Sequence, residues 1–389
     1  MIVKCGRRRQ SRILHDSRTS ERKFTDSAKN VMVFGSSTDV GKTVISAGIC
    51  RAALLRSRRV SYIKPIQTGE MDEYFIKLYT NPRGISDIFL RTLNYWQPGI
   101  SPHLAAKSDT TKVSDLALVK NLRNEINEFS SNSASLPKRL FTVVETAGGV
   151  LSPGPNGTLQ ADIYRPIRLP VILVGDARLG GISSTLCAYE SLRLRGYSIH
   201  AMALIDRSDS NNFGNATSIE EHFERCYKSI PGDNAEYSAW SLGQPPKIFS
   251  FSQLPSDRNS LLHAWFKSNE PQFLELFDHV DDAYSKEMAS FEKMVGKGVD
   301  QVWWPYRQSR ATETQPCSRN VNTAVNDSIT FVESAHADHF KRIPISKDNS
   351  LEQHPHGHDK RKQLEYLFDG SSSWWTQVSS FPLINNHDM

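Results

Sequence analysis

The sequence feature that most constrains the fold is a glycine-bounded loop, GSSTDVGKT, at residues 35–43. It follows an apolar run at 31–35 that predicts a buried strand, and it leads into a helical pattern at 41–56. A loop between a strand and a helix N-terminus turns successive backbone N–H groups toward an anion. Lys42 adds a mobile positive charge and Thr43 a hydroxyl for Mg²⁺, so the pattern predicts nucleoside triphosphate binding.

The loop departs from the usual G-x-x-x-x-G-K-T pattern at one place. Its first glycine, Gly35, is one residue early, and Ser36 occupies the expected position. The alternative interpretation is a glycine turn before a helix, which needs no ligand. The strand on one side and the helix on the other favour phosphate binding.

The body of the chain alternates short apolar runs with helical spacing, which is typical of a doubly wound, mostly parallel α/β sheet with helices on both faces. We expect this domain to cover residues 30–268. A helical linker is predicted at 269–299, where the apolar spacing is helical. Further strands are predicted at 60–67, 139–148, 170–177, 200–208 and 247–253, with helices near 86–95, 112–130, 181–196 and 215–228.

Basic residues are concentrated at the start of the chain. Residues 1–30 contain nine Lys or Arg and three acidic residues, although the whole chain has a net charge of +5. The remainder has no basic surplus, so we expect no nucleic-acid partner. The leader, residues 1–29, is either a mitochondrial transit peptide or a disordered basic tail, which leaves mitochondrial import or a cytoplasmic location.

The five cysteines contain no CxxC pair, so neither a zinc site nor a disulfide framework is indicated. No apolar run reaches the length of about 18 residues that a membrane-spanning helix needs. We therefore expect no membrane partner.

Two acidic residues are candidates to complete a metal site. Glu145 ends the predicted strand FTVVE, and ligands gather at the carboxyl ends of strands in open α/β sheets. Asp87 opens the predicted helix near 86–95, where it is either an N-terminal cap or a metal ligand. Thr43, Asp87 and Glu145 would together offer the oxygen ligands that Mg²⁺ prefers beside phosphates.

Four motifs in one order carry a family resemblance: GSSTDVGKT, YIKPIQTG, SPHLAA, and VETAGG followed by LPVILVGDARLGGI. Over roughly residues 31–268 the chain resembles the dethiobiotin synthetases. The resemblance implies a dimeric P-loop ATPase of biotin biosynthesis. Such an enzyme closes the ureido ring of dethiobiotin from 7,8-diaminopelargonate, CO₂ and ATP, and it uses Mg²⁺.

The resemblance also implies roles for single residues. Lys42 and Lys64 match the two lysines at the family's reaction centre, although Lys64 could instead be a solvated lysine at a strand end. The matches for the nucleotide are Thr38, Asp39, Val40, Gly41, Lys42, Thr43 and Gly148; those for the substrate are Lys64, Thr68, Ser101 and Gly149; those for the metal are Thr43, Asp87 and Glu145.

Several of these assignments have structural alternatives. Ser101 could simply cap a turn, and Gly148 and Gly149 could form a turn after a strand. One position departs from the family, because Ile205-Asp206 stands where bacterial relatives place an asparagine that contacts the base. ATP is therefore implied by the family and not by this residue.

A second resemblance covers residues 300–377. The stretches QVWWPYRQ, VNDSITFVESAHADHF and FDGSSSWWTQ are similar to the start of diaminopelargonate aminotransferase, which is fused to the synthetase in plants and fungi. The Schiff-base lysine and phosphate loops of that family are not present, so we expect an incomplete aminotransferase segment that holds no pyridoxal phosphate. Residues 378–389 match nothing in the family.

Two other functions compete with the ligase. One is a partner-regulated ATPase switch of the kind found in division-site and plasmid-partition proteins. Those proteins carry an extra lysine early in the phosphate loop, and this chain has Ser37 there. The other is an inactive fragment of the fusion.

Overall fold

The structure is a computed structural model that describes residues 29–80, 88–108, 112–132, 139–167, 169–207, 214–228, 245–301, 331–336, 339–343 and 365–368. Residues 1–28 of the predicted leader, Asp87 and the tail after 368 lie outside these residues, whereas Lys29 begins the first strand. In chain order the helices and strands are β1 (Lys29–Gly35), α1 (Lys42–Leu55), β2 (Arg59–Lys64), β3 (Gln67–Thr68), α2 (Asp72–Thr80), β4 (Ile88–Thr92), β5 (Tyr95–Trp96), α3 (Pro102–Ala105), α4 (Asp115–Asn132), β6 (Leu140–Gly149), α5 (Gln160–Ile163), β7 (Val171–Val174), α6 (Gly181–Leu194), β8 (Ile199–Ile205), α7 (Asn215–Lys228), β9 (Lys247–Phe251), α8 (Arg258–Ser268), α9 (Glu270–Gln301), β10 (Phe331–His336), β11 (His339–Ile343) and β12 (Glu365–Phe368).

Seven strands form one sheet in the order β4-β2-β6-β1-β7-β8-β9. Each of the six neighbouring pairs is parallel. Helical connections between parallel strands place helices on the faces of the sheet. The predicted fold class, a doubly wound α/β sheet, is confirmed.

The central strands are buried on both faces, and their alternating side chains divide the core into two layers. Val31 and Val33 of β1 belong to one layer, with side chains of α1, α2, α8 and α9. Met32 and Phe34 belong to the other, with side chains of α4, α6 and α7. This is why the strands appear in the sequence as continuous apolar runs.

The helix predicted near 86–95 is wrong. Residues 88–92 form the edge strand β4, which pairs with β2 from Val60↔Ile88 to Lys64↔Thr92. Exposure alternates along β4, and the Arg59 guanidinium lies 4.4 Å from the ring centroid of the outward-facing Phe89. The prediction that Asp87 opens a helix therefore has no helix to support it in the described segment that follows, and Asp87 itself lies outside the described residues.

The segment predicted as a linker is helical, but its first part belongs to the core. Phe273, Leu276, Phe277 and Val280 of α9 are at most 2% exposed and pack in the α1 layer. Ion pairs of 2.8–2.9 Å also join Asp281 to Lys29 and Arg58, and Glu270 to Arg51. The core therefore continues past residue 268, where the sequence analysis ended the domain.

The three described strands after residue 330 form a separate antiparallel sheet, in the order β10-β11-β12. Within the described parts of the chain, no helix is long and apolar enough to cross a membrane.

Candidate active site

The phosphate loop connects β1 to α1 at the carboxyl edge of the sheet. Gly41 immediately precedes α1 and has a φ of 96°, in the left-handed region that favours glycine. A Cβ atom at Gly41 would lie 2.6 Å from Cδ1 of Ile205, so a side chain there would strain the backbone and also displace Ile205. A Cβ atom at Gly35 would lie 2.9 Å from Cδ of Lys42. The early glycine therefore makes room for the lysine side chain.

Lys42 lies in this loop with its ammonium over the backbone. Its Nζ donates a hydrogen bond of 3.2 Å to the carbonyl oxygen of Ser37, and the residue is 8% exposed. Burial and the positive charge of Lys64 lower the pKa of Lys42 to about 8. An anion in the loop would offset both effects.

Glu145 on β6 connects the loop to β2. Its Oε1 accepts hydrogen bonds from the Thr43 hydroxyl at 3.0 Å and from Nζ of Lys64 at 2.7 Å. Its Oε2 accepts one from the Tyr62 hydroxyl at 3.0 Å. Burial alone would raise the pKa of Glu145, but the positive charges of Lys64 and Lys42 hold it below its usual range. The carboxylate is therefore ionised at neutral pH.

Asp72 is the site residue that sequence reasoning missed. It begins α2, and its Oδ2 lies 2.7 Å from Nζ of Lys64, so this ammonium is held between Asp72 and Glu145. Burial favours the neutral form of Lys64, yet the two carboxylates raise its pKa. Burial and the charge of Glu145 raise the pKa of Asp72.

The oxygen atoms of this cluster fit a magnesium ion. The Thr43 hydroxyl and the carboxylates of Glu145 and Asp72 are hard donors of the kind that Mg²⁺ selects. The described residues contain no group of three or more His, Cys, Asp or Glu that could hold a metal by themselves. Phosphate oxygens and water would have to complete the coordination, as is usual for Mg²⁺ beside nucleotides.

A cavity of about 880 Å³ opens at this edge of the sheet, and it extends from Asp72 and Lys64 across the loop to Asp206 and Gln253. It brings together most of the residues that the sequence singled out. These are Thr38, Asp39, Val40, Gly41, Lys42, Thr43, Lys64, Thr68, Glu145 and Gly148.

Ser101 and Gly149 are not among the residues that line this cavity. Ser101 precedes α3, and its hydroxyl lies 2.9 Å from Nδ1 of His103 without capping the helix backbone. A Cβ atom at Gly149 would lie 3.1 Å from the carbonyl oxygen of Ser36. Gly149 therefore allows β6 to approach the phosphate loop closely.

At the far end of the cavity, Ile205 packs against Gly41 and Asp206 follows it. The Ser250 hydroxyl donates a hydrogen bond of 3.1 Å to Oδ1 of Asp206. A carboxylate acceptor thus stands beyond the loop on the β8 and β9 side of the sheet.

This geometry defines a class of protein, the P-loop NTPases with a parallel sheet. The family model described as "AAA domain" matches residues 29–228. Among solved structures, pNOB8 ParA bound to nonspecific DNA is similar with a TM-score of 0.38 and 13% identity, over 67% of this chain and 99% of that one. A likeness at this level says nothing about what this chain binds.

Curated relatives narrow the class to one family. An ATP-dependent dethiobiotin synthetase of Novosphingobium aromaticivorans is 34% identical over 178 residues, which cover 45% of this chain and 75% of the relative. The chain belongs to the dethiobiotin synthetase family.

The chain is also similar to bifunctional relatives, over a larger part of its length. A dethiobiotin synthetase/adenosylmethionine-8-amino-7-oxononanoate aminotransferase of Emericella nidulans is 32% identical over 89% of this chain. A relative from Oryza sativa, named as mitochondrial, is 30% identical over the same share. The chain spans 39% and 42% of their lengths, about two fifths of each.

Proposed function

We propose that the sheet domain is an ATP- and Mg²⁺-dependent cyclo-ligase that closes the ureido ring of dethiobiotin from 7,8-diaminopelargonate and CO₂. The observation that carries the proposal is the position of Lys64. Its buried ammonium faces the same cavity as Lys42 of the phosphate loop, with Glu145 and Asp72 on either side. Two cations and a metal-binding cluster around one cavity suit a reaction between two anions.

The reaction needs such charges at each stage. One amine of the substrate adds CO₂ to give a carbamate, and a carbamate oxygen attacks the γ-phosphate of ATP to release ADP. The second amine then attacks the activated carbonyl carbon, closes the ring and expels phosphate. No covalent nucleophile of the protein is required, so catalysis rests on positioning and on charge stabilisation.

Lys42 and the loop residues Thr38 to Thr43 bind the phosphates in this proposal. Lys64 contacts the carbamate and the phosphoryl group in transfer, and Thr68 contacts the carbamate. Binding of the phosphates would draw Lys42 to its protonated form, because an adjacent anion favours the ammonium.

Thr43, Glu145 and Asp72 are the residues that would hold Mg²⁺, and Asp72 takes the place that the sequence analysis gave to Asp87. When bound, the ion would neutralise charge on the phosphate oxygens. The Lys64 ammonium lies 2.7 Å from an oxygen of each carboxylate, and its positive charge favours the ionised form of both at the cavity wall.

We further propose a homodimer in mitochondria. The dimer is implied by the family, and a surface cavity lined by Leu179, Ile182 and Leu186, with Leu179 82% exposed, offers apolar area for an interface. The location is supported by the basic leader and by the rice relative's name. Sedimentation of the purified chain and imaging of a fluorescent fusion test the two points.

The test of the function is phosphate release by the purified chain with MgATP. We expect release to depend on both diaminopelargonate and bicarbonate, and to fall at least 100-fold in Lys42→Ala. Release that is independent of the diamine would instead favour the partner-regulated ATPase switch.

A further inference from the structure

We propose that Tyr62 is a positioning residue for the metal-binding carboxylate of Glu145. The inference rests on the proposed function, because it assumes that Glu145 contributes to a nucleotide–Mg²⁺ site. In this proposal Tyr62 contacts neither the nucleotide nor the metal, and it acts only through the carboxylate of Glu145.

Strand geometry brings Tyr62 to this carboxylate. Residues two apart on a strand point to the same face, so Tyr62 and Lys64 of β2 both face the layer that contains α1. Glu145 lies on the neighbouring β6, where Tyr62 pairs with Val143. Glu145 therefore points to the same face and lies within reach of both side chains.

The two oxygens of Glu145 have different partners. Oε2 accepts the hydrogen bond from the Tyr62 hydroxyl at 3.0 Å, and Oε1 faces Thr43 and Lys64 at 3.0 and 2.7 Å. Both Tyr62 and Glu145 are 0% exposed, so water does not compete for these bonds. The hydroxyl thereby helps to fix the plane in which the carboxylate presents an oxygen to the Thr43 hydroxyl.

The side chain of a glutamate does not fix this orientation by itself. Rotation about the last torsion of Glu is broad, without a sharp preferred angle. Groups that hydrogen-bond to a metal-ligating carboxylate typically change metal affinity by about 10–100-fold when they are removed. Loss of the Tyr62 hydroxyl should therefore lower the affinity for the metal and leave the contacts of the phosphates with the loop unchanged.

The variant Tyr62→Phe tests this, because it keeps the buried ring and removes only the hydroxyl. Binding of a fluorescent ATP analogue to the full chain is titrated with and without Mg²⁺, and Mn²⁺ bound with ADP is counted by electron paramagnetic resonance. In Tyr62→Phe we expect the affinity for nucleotide without metal to stay within about twofold of wild type. The Mg²⁺ concentration that gives half of the maximal effect on nucleotide binding should rise about tenfold.

Tyr197→Phe is the matched control. Tyr197 is also a fully buried tyrosine, and its hydroxyl donates a 2.8 Å hydrogen bond to the carbonyl oxygen of Ala161, in the opposite core layer. The Tyr197→Phe variant should lower the thermal midpoint of unfolding by about as much as Tyr62→Phe does. It should leave the Mg²⁺ dependence of nucleotide binding unchanged. Normal Mg²⁺ and Mn²⁺ dependence in Tyr62→Phe would overturn the inference and leave the hydroxyl a purely structural group.

The failure of the proposed function is distinguishable from this result. If the wild-type chain bound the nucleotide without any Mg²⁺ effect, the metal role of Glu145 would be wrong and the role of Tyr62 would fall with it. The wild-type titration reports on the function, and the difference between the two Tyr→Phe variants reports on the inference.

Discussion

Phe273 of α9 packs directly on the backbone of Gly48 in α1. A Cβ atom at Gly48 would lie 2.0 Å from Cε1 of the Phe273 ring, so only glycine allows the two helices to approach this closely. Gly48 is five residues beyond Thr43, on the helix whose N-terminus forms the phosphate site. The segment after residue 268 therefore supports the element that presents the phosphate loop.

We expect substitutions at this contact to destabilise the domain. Phe273→Ala removes a ring that is 1% exposed and should lower the free energy of unfolding by about 3–5 kcal/mol. Gly48→Ala should also destabilise, although Ala stabilises an ordinary helix interior by about 1 kcal/mol over Gly. Denaturant unfolding measures both, with Leu194→Ala, at a position that is 84% exposed, as the neutral control. A Gly48→Ala variant more stable than wild type would contradict the contact.

The affinity for nucleotide should depend on the ionisation of Lys42. Its pKa is lowered to about 8 by burial and by Lys64, so the free site loses this charge as the pH rises through that value. Bound phosphates raise the pKa, and binding therefore requires proton uptake above about pH 8. We predict that affinity falls between about pH 7 and about pH 9.5.

Lys42→Arg provides the control for this pH profile, since arginine keeps its charge throughout the range. Its affinity should lack the inflection near the Lys42 pKa, whatever its absolute value. The same inflection in both proteins would assign it to a different group.

Lys64→Gln should reduce turnover more than nucleotide affinity. The ammonium is proposed to act on the carbamate and on the phosphoryl group in transfer, so its loss should lower turnover by roughly 100-fold and leave the ATP dissociation constant within a few-fold. It also leaves two carboxylates without their cation, and we expect the free energy of unfolding to fall by about 3–5 kcal/mol.

Calorimetric titration and turnover at saturating ATP, at a temperature where the variant is folded, measure the two effects. Lys247→Gln is the control, because the half-exposed Lys247 forms a surface pair of 2.6 Å with Glu275 and lies 5.1 Å from the ring centroid of Phe249, away from the cavity. If ATP binding were lost in Lys64→Gln while turnover at saturation stayed intact, Lys64 would be a nucleotide ligand.

The assignment of Asp72 to the metal site predicts a difference between two aspartates. Asp72→Asn should raise the Mg²⁺ requirement of nucleotide binding at least about tenfold, because it removes a charged oxygen donor beside Glu145. Asp87→Asn should leave it near the wild-type value. The reverse pattern would restore Asp87 as the ligand. Titration of nucleotide binding against Mg²⁺ compares the two.

Most of the sheet could be predicted because buried parallel strands leave continuous apolar runs bounded by loops. Residues 88–92 were assigned wrongly for a related reason. Ile88 and Leu90 belong to an edge strand, and in so short a segment apolar spacing fits a helix as well as a strand. The place of Phe273 in the core depends on a contact with α1 that lies far away in the chain.

The phosphate loop could be predicted because its chemistry is local, with Lys42 and Thr43 adjacent to the loop backbone. Asp72 could not, since its role depends on α2 bringing it within 2.7 Å of Lys64. The only local signal is its place as the first acidic residue of a helix that soon follows the KPIQTG motif. The hydroxyl of Tyr62 was missed because a tyrosine in an apolar strand is usually a core residue.

The measurement that tests the central claim most directly is the fate of labelled bicarbonate. The purified chain is incubated with ¹³C-bicarbonate, diaminopelargonate and MgATP, and the products are analysed by mass spectrometry. We expect dethiobiotin with one ¹³C at the ureido carbonyl, formed in proportion to the ATP consumed and reduced at least about 100-fold in Lys42→Ala. Consumption of ATP in the presence of all three substrates without labelled dethiobiotin would contradict this expectation.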